Sequence, residues 1–320
     1  MKRILAIFAS FVVVVPVTVL AQAYPAKPVR LIIAYAAGGG TDIVGRAIAQ
    51  RLSEGLGRQV IVDNRSGAGG NIATELAVKS PADGYTLLMG NVGPIAVNPH
   101  LYKLSVDPLR DLAPVTFLAA APLLVVVHPS LPVRSLNDLV VLARRKPAEL
   151  AYSSAGVGSS NHLAGALFSI ETRTQLTHIP YKGAAPAVTD LMAGNVQLSF
   201  QTLPSVGAAM RANRVKALAI TSARRSQVYP DIPTAKEGGV DGFEVSAWYS
   251  IVAPTGTPRE IIDRLHNELS KVLKLPDVID RLVQAGAEPA GLPPEQFAEF
   301  MRAETAKWGR VVKLSKMKAE

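Results

Sequence analysis

The 320-residue sequence contains no cysteine, and only 6% of its residues are aromatic. The absence of cysteine excludes a disulfide scaffold, a zinc–thiolate site, an iron–sulfur cluster and a cysteine nucleophile. It also excludes a lipoprotein anchored through a modified cysteine. Hydrophobic residues still make up 48% of the chain and charged residues 18%. That composition is typical of a globular protein, and a chain of this length usually divides into about two domains.

Apolar runs long enough to span a membrane, about 18 residues, are absent after the N-terminus. At the N-terminus, Lys2 and Arg3 precede an apolar run from Ile4 to Leu20. Ala21-Gln22-Ala23 then has the small-x-small pattern that signal peptidase recognises. An uncleaved anchor is the alternative, but the run is short and Pro16 weakens it as a helix. We therefore expect residues 1–23 to be a signal peptide cleaved after Ala23, which places a soluble mature protein in the periplasm.

Acidic residues are in deficit, with 25 Asp and Glu against 34 Lys and Arg, so the formal net charge is +9. This excess favours an anionic partner without choosing between nucleic acid, membrane and small acids. The basic residues form short clusters without interleaved aromatic residues, unlike a nucleic-acid-binding stripe. Together with export, this pattern predicts no nucleic-acid partner.

Short β-branched runs alternate with amphipathic segments along the chain. Strands are predicted over 29–35, 59–62 and 85–89, with helices over 41–56 and 72–79. The alternation restarts with strands over 123–127, 150–153, 177–180, 197–200 and 215–221, and helices over 136–145, 162–170 and 187–192. Such alternation is typical of α/β proteins with parallel sheets covered by helices.

The two α/β units predict two domains. We interpret residues 113–122 as a crossover between them, 245–253 as a returning strand, and 259–273, 278–284 and 295–314 as C-terminal helices. Domain 1 is then formed by residues 24–121 plus 246–320, and domain 2 by residues 122–245. Open α/β sheets bind ligands beyond the carboxyl ends of their strands, so we expect the site in the loops at an interdomain cleft.

Three loops rich in glycine and polar residues each precede a predicted helix, at residues 36–42, 64–71 and 153–161. A helix N-terminus presents unpaired N–H groups and a partial positive charge, and glycine lets the backbone approach a ligand. Each loop alone has a purely structural explanation, because glycine-rich turns are common and Thr41, Asp42, Ser160 or Asn161 can serve as an N-cap. Three such loops on one predicted face favour an anion-binding cleft.

Two nucleotide-binding motifs are incomplete in this sequence, and this narrows the class of anion that the cleft is expected to bind. The dinucleotide pattern GxGxxG meets Ile43 at its third glycine position after Gly38 and Gly40, and Ile72 after Gly67 and Gly69. The P-loop pattern has Arg46 and Ala47 where it requires Lys and Ser or Thr. Nucleotides are thus disfavoured and small carboxylates remain.

Catalytic and metal-binding signatures are also missing. The five histidines, His100, His128, His162, His178 and His266, do not lie in a metal-binding spacing. The stretch Gly158-Ser159-Ser160-Asn161-His162 only superficially resembles a nucleophile elbow. We expect no catalytic residue, no metal and no cofactor.

Six segments of the sequence resemble the extracytoplasmic receptors of tripartite tricarboxylate transporters, the Bug family. They are AAGGGTD (36–42), VDNRSGAGGNIA (62–73), GYTLLMGN (84–91), GVGSSNHLA (156–164), IPYKGAAPAVTDLMAGNVQ (179–197) and WYSIVAPTGTP (248–258). They follow the family's order and span nearly the whole mature chain. The YKG block and the GTP turn are far more specific than any single glycine loop.

The resemblance implies a two-domain periplasmic binding protein of type II, which closes like a Venus flytrap on a small carboxylate. It implies citrate-like acids, dicarboxylates, acidic amino acids or aromatic acids as ligands, membrane transporter subunits as transient partners, and a monomeric receptor. By resemblance, residues 37–42 hold a carboxylate through backbone groups and water, and the loops around Ser159 and around Tyr181–Gly183 close over it. The segment FQTLPS (200–205) stands in the place of a specificity loop and carries no charge. We therefore expect the far end of the pocket to suit an apolar or aromatic group, or to offer an amide contact from Gln201. The candidate ligand-binding residues are Ala37, Gly38, Gly39, Gly40, Thr41, Asp42, Ser66, Gly69, Asn91, Ser159, Ser160, Tyr181, Gly183 and Gln201.

Two other functions remain open at this point. A ligand sensor for a two-component system would bind the same solute and differ only in its partner. A secreted hydrolase would use Ser159 or Ser160 as the nucleophile, and it requires a histidine and an acid to converge on that serine.

Overall fold

The structure is a computed structural model that describes residues 24–284, 286–315 and 317–318. The predicted signal peptide, residues 1–23, lies outside the described residues. None of the helices in the described part is long and apolar enough to cross a bilayer.

Strands and helices alternate along most of the chain. The strands are β1 (Val29–Ile33), β2 (Val60–Asn64), β3 (Thr86–Gly90), β4 (Leu112–Val127), β5 (Ala151–Ser154), β6 (Thr177–Pro180), β7 (Leu198–Thr202), β8 (Lys216–Ile220), β9 (Ser246–Pro254) and β10 (Glu288–Leu292). The helices are α1 (Gly40–Leu56), α2 (Asn71–Val78), α3 (Pro108–Asp111), α4 (Leu136–Arg145), α5 (Ser160–Thr172), α6 (Ala184–Ala193), α7 (Leu203–Arg211), α8 (Arg259–Val272), α9 (Pro276–Gln284) and α10 (Pro294–Ser315). The predicted mixed α/β class is confirmed.

The strands form two sheets that share strand β4. In the first sheet β2, β1 and β3 run parallel, and β9 joins them antiparallel between β3 and β4. In the second sheet β6, β5 and β7 run parallel, and β7 and β8 both pair antiparallel with the end of β4. Because both sheets contain parallel strands followed by helices, the loops after β1 and β5 can present helix N-termini to one cleft.

Residues 113–122, interpreted as a crossover between the two units, belong to β4, which runs from the first sheet into the second; this segment was not predicted from the sequence to be a strand. Residues 112–122 pair with β9, and residues 123–127 pair with β7. Ladder hydrogen bonds to β9 hold the segment extended, although its alanines and prolines have low strand propensity. The division into domains at residues 121/122 and 245/246 stays a prediction.

Apolar side chains from both sheets and their helices form the core. Val29, Leu31 and Ile33 face one side of β1 and pack with Ile48 and Leu52 of α1. Trp308 and Phe297 of the C-terminal helix α10 are fully buried in a second cluster, where they pack with Trp248 of β9. This packing fixes the start of α1 against the carboxyl end of β1.

Candidate ligand-binding site

A cavity of about 40 Å³ lies between the loops of the two sheets, at the carboxyl ends of β1 and β5. We call it the inner cavity. Among the described residues, none with a charged side chain lines it; its walls are formed by Tyr35, Gly39, Gly40, Thr41, Asn91, Val92, Ala155, Ser159, Ser160, Asn161, Ala184, Thr202, Ser205, Ala247 and Tyr249. Room of this size holds about three water molecules, so a larger ligand requires the loops to separate.

The N-terminus of α1 forms one wall of the inner cavity. Gly39 is the N-cap residue and offers no side chain to satisfy the first N–H groups of the helix. The N–H of Gly40 donates instead to Oγ of Ser205 in α7, at 2.8 Å. A Cβ at Gly40 would lie 2.6 Å from Oγ1 of Thr202, so only glycine permits this approach. The positive end of α1 therefore faces the cavity with backbone donors alone.

Asp42 positions this loop and lies outside the cavity wall. Its side chain is 3% exposed and accepts hydrogen bonds from the N–H of Gly38 at 2.9 Å and from Nε of Arg46 at 3.0 Å. Nδ2 of Asn64 donates to it as well, at 3.0 Å. Burial opposes ionisation of Asp42, but these hydrogen bonds outweigh burial and hold its pKa below the ordinary value. The carboxylate thus fixes the glycine loop.

The N-terminus of α5 forms the opposite wall. Ser159 is the N-cap residue, and its Oγ accepts a hydrogen bond from the N–H of His162 at 3.3 Å. Asn161 donates through Nδ2 to the carbonyl of Phe200 and to Oε1 of Gln201. The hydroxyl of Ser160 has no hydrogen-bond partner among the described residues and borders the cavity. Two helix N-termini from different sheets therefore converge on one space, which is a favourable environment for an anion.

A cluster of hydroxyl groups lies between these helices, and the sequence reasoning missed it. Oγ1 of Thr202 is 3.0 Å from Oγ of Ser205, and Tyr249 is 2% exposed and hydrogen-bonded to Thr202. Burial raises the pKa of Tyr249 to about 12, so its hydroxyl stays protonated and can donate. Thr202 and Ser205 come from the adjoining β7 and α7, whereas Tyr249 comes from β9, much later in the chain. A usable signal was present, because Thr202 and Ser205 lie in FQTLPS and Tyr249 lies in a segment that matched the family.

A second, larger space of about 610 Å³ adjoins the inner cavity, and we call it the outer chamber. Tyr35 and Ala155 line both spaces. Its other walls are the loop at 67–70, Tyr102, Gly156, Val157 and the segment of Pro180, Tyr181, Lys182 and Pro186. Across its rim, the carbonyl of Lys182 accepts a hydrogen bond from the N–H of Ala36 at 3.3 Å.

The candidate residues from the sequence fall into three groups. Gly39, Gly40, Thr41, Asn91, Ser159 and Ser160 line the inner cavity. Gly69 and Tyr181 line the outer chamber. Ala37, Gly38, Asp42, Ser66, Gly183 and Gln201 line neither space. Gln201 is fully buried, and its Nε2 donates to Oγ of Ser199 at 2.9 Å, so an amide contact with a ligand would need this bond to break. Assignment of these residues to ligand binding stays a prediction.

Two stacked imidazole rings, those of His162 and His178, contact the loop that precedes α5. The rings of His162 and His178 are 3.8 Å apart and nearly parallel, at 6°. Nδ1 of His162 accepts from the N–H of Gly158 at 3.1 Å, and Nε2 of His178 lies 2.6 Å from Oγ of Ser154. Burial lowers the pKa of His178 to about 4, and burial together with the neighbouring ring lowers the pKa of His162 to about 3. Both rings are therefore neutral at ordinary pH and hold the loop as hydrogen-bonding partners.

This geometry does not assemble the hydrolase alternative. Nδ1 of His162 is taken by the backbone of Gly158, and the hydroxyl of Ser159 is taken as an N-cap acceptor. Within the described residues, neither Ser159 nor Ser160 has a hydrogen-bonded histidine side chain, which a nucleophilic serine requires. The described part of the chain also holds no group of three or more His, Asp or Glu side chains placed to bind a metal.

Comparison with known proteins gives a consistent result. Residues 44–317 match the family model described as "Tripartite tricarboxylate transporter family receptor". Protein BugT of Bordetella pertussis is 37% identical over 317 residues, covering 98% of this chain and 97% of BugT.

Solved structures show the same architecture. A Rhodopseudomonas palustris protein solved with adipate is 39% identical, with a TM-score of 0.90 over 92% of this chain and 99% of that one. MatC from the same organism, solved with bound malate, is 31% identical, with a TM-score of 0.86 over 90% of this chain and 100% of that one. Periplasmic binding proteins are among the structures of this fold, which confirms the predicted fold class. The chain thus belongs to the receptor family of the tripartite tricarboxylate transporters.

Proposed function

We propose that the protein is an extracytoplasmic solute receptor that binds a small carboxylate between its two sheets and delivers it to the membrane subunits of a tripartite transporter. It acts without catalysis, as a monomer in the periplasm, after cleavage behind Ala23. Residues 24–121 plus 246–320 and residues 122–245 form its two domains, and the cleft between them is the binding site.

One observation carries this proposal: two helix N-termini and a hydroxyl cluster converge on a cavity without charged side chains. A carboxylate that leaves water must regain several hydrogen bonds, and neutral donors can provide them without bringing a counter-charge. The N–H of Gly40, the hydroxyl of Ser160 and the hydroxyl of Tyr249 are donors of this kind. Relatives solved with adipate and malate support the choice of carboxylates over other anions.

The two-sheet arrangement also supports a receptor mechanism. Donors from α1 and α5 meet only when the two halves are close, so a bound anion stabilises the closed state. The hydroxyl of Ser205 satisfies the N–H of Gly40 in the present arrangement. A ligand carboxylate entering the cavity would replace this internal acceptor. Closure on the ligand is then the signal that the membrane partner reads.

Thermal unfolding of the mature chain against succinate, glutarate, adipate, malate and phosphate tests the proposal. A ligand at 100 times its Kd adds about 2.7 kcal/mol to the free energy of unfolding, which raises Tm by a few degrees. We expect a shift with at least one carboxylate and recovery of that ligand unchanged. Ser160→Ala should reduce the shift, while the matched control Ser226→Ala, at a residue that lines neither the inner cavity nor the outer chamber, should not. A shift with phosphate alone, or conversion of the ligand, would contradict the proposal.

A further inference from the structure

We propose that Gly93 is a positioning residue of the ligand site. It leaves room for the backbone of Gly158 when the two sheets close, and it thereby determines how long a bound carboxylate is retained, without touching that carboxylate. This inference rests on the proposed function and adds to it a contact between the two halves in which the ligand takes no part.

The segment before α5 meets the loops of the first sheet along a line of close backbone contacts, which we call the glycine seam. Val157 and Gly158 form one side of it, and Gly69, Gly93 and Asn98 form the other. A Cβ at Gly93 would lie 2.9 Å from the carbonyl oxygen of Gly158, and a Cβ at Gly69 would overlap that of Val157. Because real Cβ atoms do not approach other atoms so closely, only glycine at these positions lets the two backbones meet.

The glycine seam lies beside the inner cavity and is not part of its walls. Gly93, Asn98 and Gly158 are buried, and they line neither the inner cavity nor the outer chamber. Their neighbours in the chain, Val92 and Ser159, do line the inner cavity. Contact along the seam therefore sets where the N-terminus of α5 stands relative to the opposite wall.

The contacts of the glycine seam can separate at little cost. Within the part of the chain that the structure describes, no hydrogen bond joins Gly69, Gly93 or Asn98 to Val157 or Gly158. Oδ1 of Asn98 is buried there without a hydrogen-bond partner, although its Nδ2 donates to the carbonyl of Gly69 at 3.1 Å. A buried acceptor without a partner regains a hydrogen bond when water reaches it. We therefore expect the seam to form when the ligand draws the halves together and to open when the ligand leaves.

Gly93 is the seam position where an added methyl group tests this idea most directly. It begins a short helical segment, Gly93–Val97, and its φ lies outside the left-handed region, so alanine adopts its backbone conformation without strain. The methyl would also lie 3.0 Å from Oη of Tyr35, whose hydrogen bond to Asn91 is long, at 3.4 Å, so this side chain can give way. The backbone of Gly158 cannot give way unless the seam opens.

The test compares Gly93→Ala with a matched glycine elsewhere. Gly207→Ala makes the same change inside helix α7, where the nearest atom to the new Cβ, Cδ1 of Leu203, is at an ordinary 3.4 Å. Calorimetric titration measures Kd and stoichiometry for succinate, glutarate, adipate and malate, and filter binding of a radiolabelled carboxylate measures its dissociation rate. We expect Gly93→Ala to weaken every carboxylate that binds the wild type by about tenfold, through faster dissociation, because overpacking destabilises only the closed state. The Tm of the ligand-free variant should not fall, and Gly207→Ala should change Kd by less than about twofold.

The outcomes separate this inference from the function on which it rests. A Kd of Gly93→Ala within about twofold of the wild type overturns the inference, and so does an equal loss in Gly207→Ala. A loss that differs between carboxylates, or that comes from slower association, contradicts a role away from the ligand. A lower Tm of ligand-free Gly93→Ala than of Gly207→Ala would show that the seam is closed without ligand, which also overturns it. If no carboxylate binds the wild type, the proposed function itself fails. An unchanged stoichiometry shows that the variant is folded.

Discussion

The stacked imidazoles of His162 and His178 predict a steep loss of stability on mild acidification. In the folded protein burial keeps both rings neutral, with pKa values of about 3 and about 4. In the unfolded chain both return to the ordinary pKa of about 6.5. Below that value the unfolded state binds protons that the folded state does not. The free energy of unfolding is therefore retained at about pH 7.5 and decreases as the pH falls through about 6.5 toward 4.

The size of the effect follows from this difference. At about pH 5 each imidazole lowers the free energy of unfolding by about 2 kcal/mol relative to pH 7.5, and the pair lowers it by about 4 kcal/mol. This value depends little on the folded pKa, because both rings are still neutral at pH 5. Carboxylates with lowered pKa values, such as Asp42, lose their contribution only near and below pH 4. Between about pH 6.5 and pH 4, the histidine pair therefore accounts for most of the decrease in the free energy of unfolding.

Urea unfolding followed by circular dichroism, at about pH 7.5, 6.5, 5.5 and 5, measures the effect. His178→Gln should remove about half of the pH dependence, because the amide can still bond to Ser154 but does not titrate. Tyr152→Phe is the matched control, since it keeps the stacked rings and should leave the pH dependence unchanged. A wild-type free energy of unfolding that changes by less than about 1 kcal/mol over this range would refute the reasoning.

Three further changes have defined outcomes, each measured by urea unfolding and by calorimetric titration with the preferred carboxylate. Asp42→Ala removes the carboxylate that accepts hydrogen bonds from Gly38, Arg46 and Asn64, and it should cost about 1–2 kcal/mol of stability while weakening ligand binding; unchanged stability would contradict the positioning role. Gly57→Ala, at φ +66° with open space around the new Cβ, should lower the free energy of unfolding by about 1–2 kcal/mol. Gly158→Ala, at φ +78°, also brings its Cβ against Oδ1 of Asn98, so it should lower the free energy of unfolding by more. Equal costs would show that Asn98 moves aside. Ser205→Ala removes the acceptor of a helix N–H and should cost about 1 kcal/mol, whereas a gain in stability would exclude this bond as a stabilising contact.

The elements best predicted from the sequence are those specified by local signals. Helix α4 was predicted over 136–145 and is observed at Leu136–Arg145, because Ser135 and Asp138 form a capping box ahead of an amphipathic segment. Strand β6 was likewise predicted over 177–180 and is observed there. The glycine-rich loops at 36–42 and 153–161 were also predicted to precede helices, and the N-termini of these helices, α1 and α5, face the inner cavity.

The elements missed were those that depend on tertiary contacts. Strand β10 (Glu288–Leu292) contains proline and glycine and has little strand propensity, but it pairs with β4. Helix α7 (Leu203–Arg211) was hidden because FQTLPS was interpreted as a loop, although Thr202 is an N-cap followed by a proline in the first turn. The hydroxyl cluster could not be assembled from the sequence, since Thr202 and Tyr249 meet only when β7 and β9 pair on either side of β4.

Strand β4 belongs to both sheets and therefore connects the two halves of the molecule directly. It is hydrogen-bonded to β9 over residues 112–122 and to β7 over residues 123–127, so no free linker separates the sheets at this position. Any opening of the cleft has to bend or twist these strands, and it is resisted by their ladder hydrogen bonds. The irregular register of β4 between Phe117 and Ala119 is a natural place for such bending. The two sheets can therefore change their relative orientation through β4 and β9 while each sheet keeps its own hydrogen-bond pairing.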